Sequence, residues 1–118
     1  MSFESLRAYQ AAMILRAEVD KLGPGLDPRF QYLYRHVDEA VDSVMNNLAE
    51  GNTSIYKGVR VRFYDVAAGS AREARSGLQS LSQRGAFKRV NPNRAITLTF
   101  SVSKLIKSLI ARENNPVG

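Results

Sequence analysis

Three polar residues close to the apolar stripes of predicted helices are the first candidates for chemistry: Asn47, Glu50 and Glu73. Two carboxylates held together could act as a general acid and a general base. A carboxylate at a helix interface must be paired or hydrogen-bonded, because desolvating it alone is costly. A structural role is therefore the stronger interpretation. We expect Asn47 and Glu50 to bond backbone groups near the turn after their helix, and Glu73 to pair with an arginine.

Other signs of catalysis or of a metal site are weak. The single histidine, His36, has no nucleophile or acidic partner at a recognised spacing, and the absence of cysteine excludes thiolate sites. Ser70 follows Gly69 inside a helical stretch, which is not the strand–turn–helix context of a nucleophile elbow. One histidine also cannot supply the two Glu-x-x-His pairs of a di-iron bundle. We expect no enzymatic activity, no metal and no cofactor.

The charge distribution is more informative. Residues 1–50 carry five Lys/Arg and eight Asp/Glu, whereas residues 51–118 carry twelve Lys/Arg and three Asp/Glu, within a net charge of +6. A basic half attracts polyanions or the acidic half of another copy. A solvated surface on a protein of high pI is the alternative interpretation.

Clustered basic residues are the best functional candidates. Arg72 and Arg75 are three residues apart and share a helix face, as do Lys104 and Lys107. Phosphate contacts need such clusters and make binding salt-dependent. The residues predicted to contact nucleic acid are Arg60, Arg72, Arg75, Lys104 and Lys107. Three aromatic residues among the basic ones could stack on bases or pack in the core: Tyr56, Tyr64 and Phe87.

Four helices are predicted to position these residues, at about 2–22, 28–50, 59–84 and 92–113. Ser2, Asp27 and Asn91 are suitable N-caps, and proline follows the second and third of them. Gly51 and Gly85 are expected to end the second and third helices. Residues 96–100 are rich in β-branched side chains and could form a strand, although the preceding cap and the later heptad spacing favour a helix.

Apolar residues recur at spacings of three and four in each segment. In the third helix the predicted core stripe is Val59, Phe63, Val66, Ser70, Glu73 and Gly77, extended by Leu78 and Leu81. Glycine inside a helix costs about 1 kcal/mol, so Gly69 and Gly77 suggest close approach by a neighbouring helix.

The short links predict antiparallel neighbours, and hence one all-α domain over residues 1–118, an up-down-up-down antiparallel four-helix bundle with a frayed tail at 114–118. Some apolar residues lie off the stripes and indicate either an oligomer interface or scattered surface positions: Met13, Tyr56, Tyr64, Phe100 and Ile106. No apolar run approaches the ~20 residues that span a bilayer, and the N-terminus lacks a signal-peptide pattern. We therefore expect a cytoplasmic protein without membrane contact.

A pair of motifs resembles the bacterial four-helix-bundle family of 23S ribosomal RNA intervening-sequence proteins. The residues that carry the resemblance are Ser43, Asn47, Glu50, Gly51, Phe63, Gly69, Ser70 and Glu73. Two departures stand out. Asp38 and Glu39 precede the first motif where the family often has arginines, and Gly58 replaces a better helix former, so we expect the third helix to start late.

The resemblance implies assembly into a ring-like homopentamer. It also implies kinship with the accessory variability proteins of diversity-generating retroelements, which are basic pentamers that bind nucleic acid and a reverse transcriptase. The prediction is a non-enzymatic, basic homo-oligomer that binds RNA or DNA through backbone phosphates. The alternative is a scaffold that docks an acidic, co-encoded partner protein and has no direct nucleic-acid role.

Overall fold

The computed structural model describes residues 2–115 as four helices joined by short links. The helices are α1 (Phe3–Asp20), α2 (Gln31–Thr53), α3 (Lys57–Gln83) and α4 (Asn93–Asn114). Two 3₁₀ turns, Gly23–Gly25 and Pro28–Phe30, connect α1 to α2. The segment 96–100 is helical, so the strand alternative is wrong. Residues 116–118 of the predicted tail lie outside the described residues.

The helices run up-down-up-down around the bundle. The α1–α2 and α3–α4 links meet at one end, where Asp27 N–H donates to the Ala86 carbonyl (2.8 Å) and Lys88 N–H donates to the Gly25 carbonyl (2.7 Å). The α2–α3 link, residues 54–56, therefore lies at the other end. Helices α1 and α3 each contact α2 and α4, which gives an elongated body of 49 × 20 × 18 Å. The predicted all-α four-helix architecture is confirmed.

Of the three predicted caps, only Ser2 lies at the N-cap of an α-helix; Asp27 caps the 3₁₀ turn ahead of α2, and Asn91 lies one position before the N-cap of α4. Ser2 Oγ accepts a hydrogen bond from Ser5 N–H (3.1 Å), and Asn91 Oδ1 accepts one from Asn93 N–H (2.9 Å). Asp27 accepts from the backbone N–H of Arg29 (3.0 Å) ahead of the Pro28–Phe30 turn. Hydrogen bonds from the Arg29 side chain and backbone lower the pKa of the Asp27 carboxyl to about 2.

Several predicted helix boundaries differ from the observed ones. Helix α1 ends at Asp20 instead of Leu22, and α2 begins at Gln31, since Pro28–Phe30 forms a separate 3₁₀ turn. Gly51 does not end α2, which continues to Thr53; a Cβ at Gly51 would lie 2.5 Å from the Tyr64 ring, so this glycine serves packing. Helix α3 begins at Lys57, earlier than predicted, because Gly58 lies in an exposed first turn where no neighbour constrains it. Gly85 does follow the end of α3, with a left-handed φ of +68°.

The predicted core face of α3 is correct only in part: Ser70, Leu78 and Leu81 are buried as predicted, whereas the other residues of the stripe are at least partly exposed. Val59 and Val66 are 42% and 46% exposed, whereas Tyr64 is only 2% exposed. The buried face instead consists of small and aliphatic residues together with that tyrosine: Tyr64, Ala67, Ala68, Ser70, Ala71, Ala74, Leu78 and Leu81. Alanine differs little in hydropathy from the glycine and serine residues among which it stands in this helix. The hydropathy pattern therefore could not fix the rotation of α3. Tyr64 and Ile106 are core residues, contrary to the expectation that they are left over.

Candidate nucleic-acid interface

Helices α3 and α4 bring four of the five predicted contact residues around one cavity of about 310 Å³. We call it the α3/α4 groove. Its walls come from both helices: Ala68, Arg72 and Arg75 from α3, and Phe100, Ser103, Lys104 and Lys107 from α4. Arg72, Lys104 and Lys107 are exposed and Arg75 is half-buried. The sequence placed each pair on one helix face; the fold brings the two faces together.

Arg75 is held in a fixed position within this groove. Its Nε–H donates to Thr99 Oγ1 (3.2 Å), its Nη2 donates to Ser103 Oγ (2.7 Å), and its Cζ lies 4.0 Å from the centroid of the Phe100 ring. Thr99 in turn donates to the Ile96 carbonyl (2.6 Å), which fixes the hydroxyl. Only neutral partners hold the guanidinium, so its charge is not balanced and some of its five N–H donors remain for a ligand.

Within residues 2–115, no acidic side chain pairs with the cations of the groove. Residues 74–112 contain eight Lys/Arg and no Asp/Glu. Among residues 2–115, the four groove cations take part in no ion pair, whereas Arg94 pairs with Glu18 and Arg112 pairs with Glu4. A concave wall lined with one sign of charge attracts anions.

Arg60, the fifth predicted contact residue, lies apart from the groove. Its Nε and Nη2 donate to the two carboxylate oxygens of Glu113, both at 2.9 Å, and its Nη1 donates to the carbonyls of Ser54 and Ile55. These hydrogen bonds from Arg60 hold the pKa of the Glu113 carboxyl below its usual range. Arg60 therefore ties the start of α3 to the end of α4, and its charge is already matched.

Three of the motif residues, Ser43, Ser70 and Glu73, line the opposite edge of α3, in an outward groove between α2 and α3. There the Ser43 and Ser70 hydroxyls are hydrogen-bonded at 2.7 Å, and Asn47 Nδ2 donates to the Ser43 carbonyl (2.8 Å) and hydroxyl (3.1 Å). Asn47 thus bonds its own helix one turn back, which corrects the expected bond near the α2–α3 turn. We call this opening the α2/α3 groove.

The two motif carboxylates do not behave as predicted. Glu50 and Glu73 are both exposed, and neither forms an ion pair within the described residues. The prediction of a buried Glu73 paired with an arginine is therefore wrong. The cause of this error is the rotation of α3, which turns Glu73 and half-buried Phe63 of the predicted stripe toward the outside while Ser70 stays buried.

The glycines of α3 have different surroundings. A Cβ at Gly77 would lie 2.6 Å from Val37 Cγ2, so α2 approaches closely there, as predicted. A Cβ at Gly69 would meet only Arg72 Nη2, at 3.7 Å, which is an ordinary contact. The expected close approach is thus correct at Gly77 and wrong at Gly69.

The aromatic residue of the groove is one that the sequence did not single out for binding. Phe100 is 51% exposed, and the sequence marked it only as an apolar residue off the core stripes. Tyr64, predicted as a stacking candidate, is buried and donates to Asn52 Oδ1 (2.8 Å), and Phe87 packs edge-on against Tyr34. The usable signal was the spacing of Phe100 from Ser103 and Lys104, which are three and four residues on.

No helix within residues 2–115 has the length and hydropathy needed to cross a bilayer. Over the same residues, no three His, Cys, Asp or Glu side chains are grouped as metal ligands. The side chains that do converge are cations, hydroxyls and one phenyl ring.

Comparison with known proteins identifies the family. Residues 4–108 match the model of the family described as 23S rRNA-intervening sequence protein, and a search of curated proteins finds no match. The fold is similar to that of a crystal structure at 1.70 Å resolution, a protein of unknown function from the S23 ribosomal protein family of Bacteroides thetaiotaomicron VPI-5482. The TM-score is 0.81 at 14% identity, over 92% of this chain and 99% of that one. Because the family model spans most of its length, this chain belongs to the 23S rRNA-intervening sequence protein family.

Proposed function

We propose that this protein binds RNA or DNA through backbone phosphates in the α3/α4 groove and performs no catalytic step. The observation that carries the proposal is the convergence of four cations from two helices on one cavity without a carboxylate. Arg75 is pre-positioned by Thr99 and Ser103, whereas Arg72 and the two lysines are exposed and free to follow a phosphate chain. The family description, which names a ribosomal RNA sequence, supports the same direction.

The magnitude of the expected affinity is modest for a single copy. An exposed charge-assisted contact contributes on the order of 1 kcal/mol, and non-specific binding of this kind has dissociation constants of about 10⁻⁴–10⁻⁶ M at physiological salt. Repetition of the groove in an oligomer would raise the overall affinity through avidity.

We also propose that several copies assemble, and the resemblance favours a ring-like homopentamer. Helix α1 supports assembly because it is apolar on two faces. Ala8, Ala12 and Leu15 are buried in the bundle, while the outward side of the helix exposes Phe3, Leu6, Met13 and Ile14. A helix that is apolar all round is normally covered on both sides. The mass in solution, measured by light scattering after nuclease treatment, tests this part; a monomer at micromolar concentration would contradict it.

A second candidate function is docking of an acidic partner protein, such as a co-encoded one. The observation that favours it is the half-exposed ring of Phe100 beside the unpaired cations, which also suits a segment with acidic and apolar side chains. Capture of one protein that survives nuclease treatment, without oligonucleotide binding, would support this candidate over the first.

The test of the leading proposal is oligonucleotide binding by fluorescence anisotropy at low salt. The groove variant Arg72→Gln/Lys104→Gln/Lys107→Gln is expected to bind about 100-fold more weakly, since three contacts of ~1 kcal/mol are lost. The control variant changes net charge equally at exposed positions outside the groove: Arg35→Gln, Lys57→Gln and Arg62→Gln. It is expected to lose less than about 5-fold, through long-range attraction alone. Equal losses in both variants would contradict the assignment of the groove.

A further inference from the structure

We propose that the α3/α4 groove takes a single strand, with one unpaired base stacked on the Arg75–Phe100 pair and the neighbouring phosphates on Arg72, Lys104 and Lys107. This inference rests on the proposed function and names the form of nucleic acid that the same site accepts.

An aromatic ring, that of Phe100, lines the basic cavity. Phe100 is 51% exposed, and Arg75 lies 4.0 Å from its centroid. A phosphate gains nothing from a phenyl ring, whereas every base offers a π-face that stacks on aromatic rings and on guanidinium planes. In a duplex those faces are covered by the neighbouring base pairs, so only an unpaired base can use this ring.

The shape of the site also favours a single strand over a duplex. The cations stand on both walls of a concavity between two adjacent antiparallel helices, whose axes in such packing are about 8–10 Å apart. A duplex is too wide to enter that space. Protein elements that read a duplex are ridges that enter its major groove, about 12 Å wide, which is the opposite relief. A single strand is narrow enough to lie along the concavity.

The stacking pair is held in a fixed position beside cations whose side chains are exposed. Hydrogen bonds to Thr99 and Ser103 hold the Arg75 guanidinium against the ring. Lys104 and Lys107 lie four and seven residues beyond Phe100 on α4, or about 6 and 10 Å along the helix axis. A base on the ring therefore has its own backbone within reach of long, exposed lysine side chains. The small side chain of Ala68 leaves the groove open at this level.

The experiment compares matched single strands and duplexes of equal length, as RNA and as DNA, by fluorescence anisotropy at one low salt concentration. We expect single strands to bind at least 10-fold more tightly than duplexes. Phe100→Leu is expected to weaken single-strand binding about 10-fold and to leave duplex binding unchanged, and Phe100→Trp is expected to restore it. The matched control is Phe3→Leu, which removes an exposed ring near Arg7 on α1.

A 2-aminopurine in the strand gives a direct readout of stacking. Its fluorescence should be quenched on binding to the native protein and to Phe100→Trp, and much less on binding to Phe100→Leu. Equal binding of duplex and single strand, with no effect of Phe100→Leu, would overturn the single-strand inference and leave phosphate binding standing. Tighter binding of polyglutamate than of any oligonucleotide would overturn both. Comparison of the RNA and DNA arms identifies which strand the groove prefers.

Discussion

Helix α3 has two edges, and they differ in how their polar groups are satisfied. Along the α2/α3 groove, Ser43, Asn47 and Ser70 hydrogen-bond one another and Gly77 lets α2 approach. Along the α3/α4 groove, Arg75 is held by hydroxyls and a ring, and no carboxylate balances the cations. Polar groups that satisfy each other hold helices together, whereas unbalanced charges remain available to a ligand.

The difference separates family identity from candidate function. The motif residues of the α2/α3 edge identify the family, yet their interactions are mostly internal to the protein. None of the residues that line the α3/α4 groove is one of those motif residues, but they carry the charges on which the proposed function rests. Substitutions on the first edge should therefore change stability, and substitutions on the second should change binding.

Charge reversal gives the largest expected effect. Arg72→Glu/Lys104→Glu should weaken oligonucleotide binding by at least about 100-fold, because two attractive contacts become repulsive. The mirror variant on the other edge, Glu39→Lys/Glu73→Lys, should bind at least as well as the native protein. Anisotropy at low salt measures both, and the comparison fails if the mirror variant loses affinity while the first retains it.

Two glycines on one helix test the packing of the α2/α3 edge. Gly77→Ala should destabilise the fold by about 1–2 kcal/mol. The steric overlap of the new Cβ with Val37 costs more free energy than the gain in helix propensity restores. Gly69→Ala should instead stabilise it by up to ~1 kcal/mol, since only Arg72 is near. Urea unfolding followed by circular dichroism measures both changes; a stable Gly77→Ala protein would show that the seam is looser than described.

The serine pair gives a smaller effect on the same edge. Ser70→Ala should cost about 1 kcal/mol of unfolding free energy, because the half-buried Ser43 hydroxyl loses its hydrogen bond with Ser70 and keeps only the one from Asn47. Binding should not change. Ser76→Ala, at an exposed position of α3, is the control and should lie within about 0.5 kcal/mol of the native protein. A loss of binding in Ser70→Ala with stability unchanged would assign this edge a recognition role.

The smallest expected effect on binding is that of pH, which should act instead on the stability of the fold, first through Tyr34. Burial raises the pKa of the Tyr34 hydroxyl to about 12, and the hydroxyl donates to the Val19 carbonyl (2.6 Å). Because the folded pKa lies above the unfolded value of about 10, this contribution to stability is complete below about pH 10 and is lost as the pH rises toward 12.

The carboxyls behave in the opposite sense. Hydrogen bonds lower the pKa of Asp27 to about 2 and that of Glu113 below its usual range. Their stabilisation is present above the unfolded values near 4 and is lost as the pH falls through the lowered folded values. The groove itself has no histidine or carboxylate in its lining, so binding should stay within about 2-fold between pH 6 and 9. A steep change in affinity within that range would mean that a titrating group outside the groove controls it.

Features that depend on residues within one helical turn could be predicted from the sequence, whereas features that depend on distant residues could not. Caps such as Ser2 and the shared faces of Arg72 with Arg75 and of Lys104 with Lys107 depend on residues within one turn, and these predictions agree with the structure. The rotation of α3 depends on which residues of the neighbouring helices meet its alanines. The prediction of its core face was therefore correct at only some positions. The position of Arg60 outside the groove could not be predicted, because its partner, Glu113, is 53 residues away.

The salt dependence of binding tests the central claim most directly. Single-strand binding loses about 0.7 in log K per log unit of salt for each phosphate contact. Four groove cations thus predict a slope of about −3 per copy, and Arg72→Gln/Lys104→Gln/Lys107→Gln should reduce it to about −1. No binding at the lowest salt, or an unchanged slope in that variant, would contradict the assignment of phosphate binding to the α3/α4 groove.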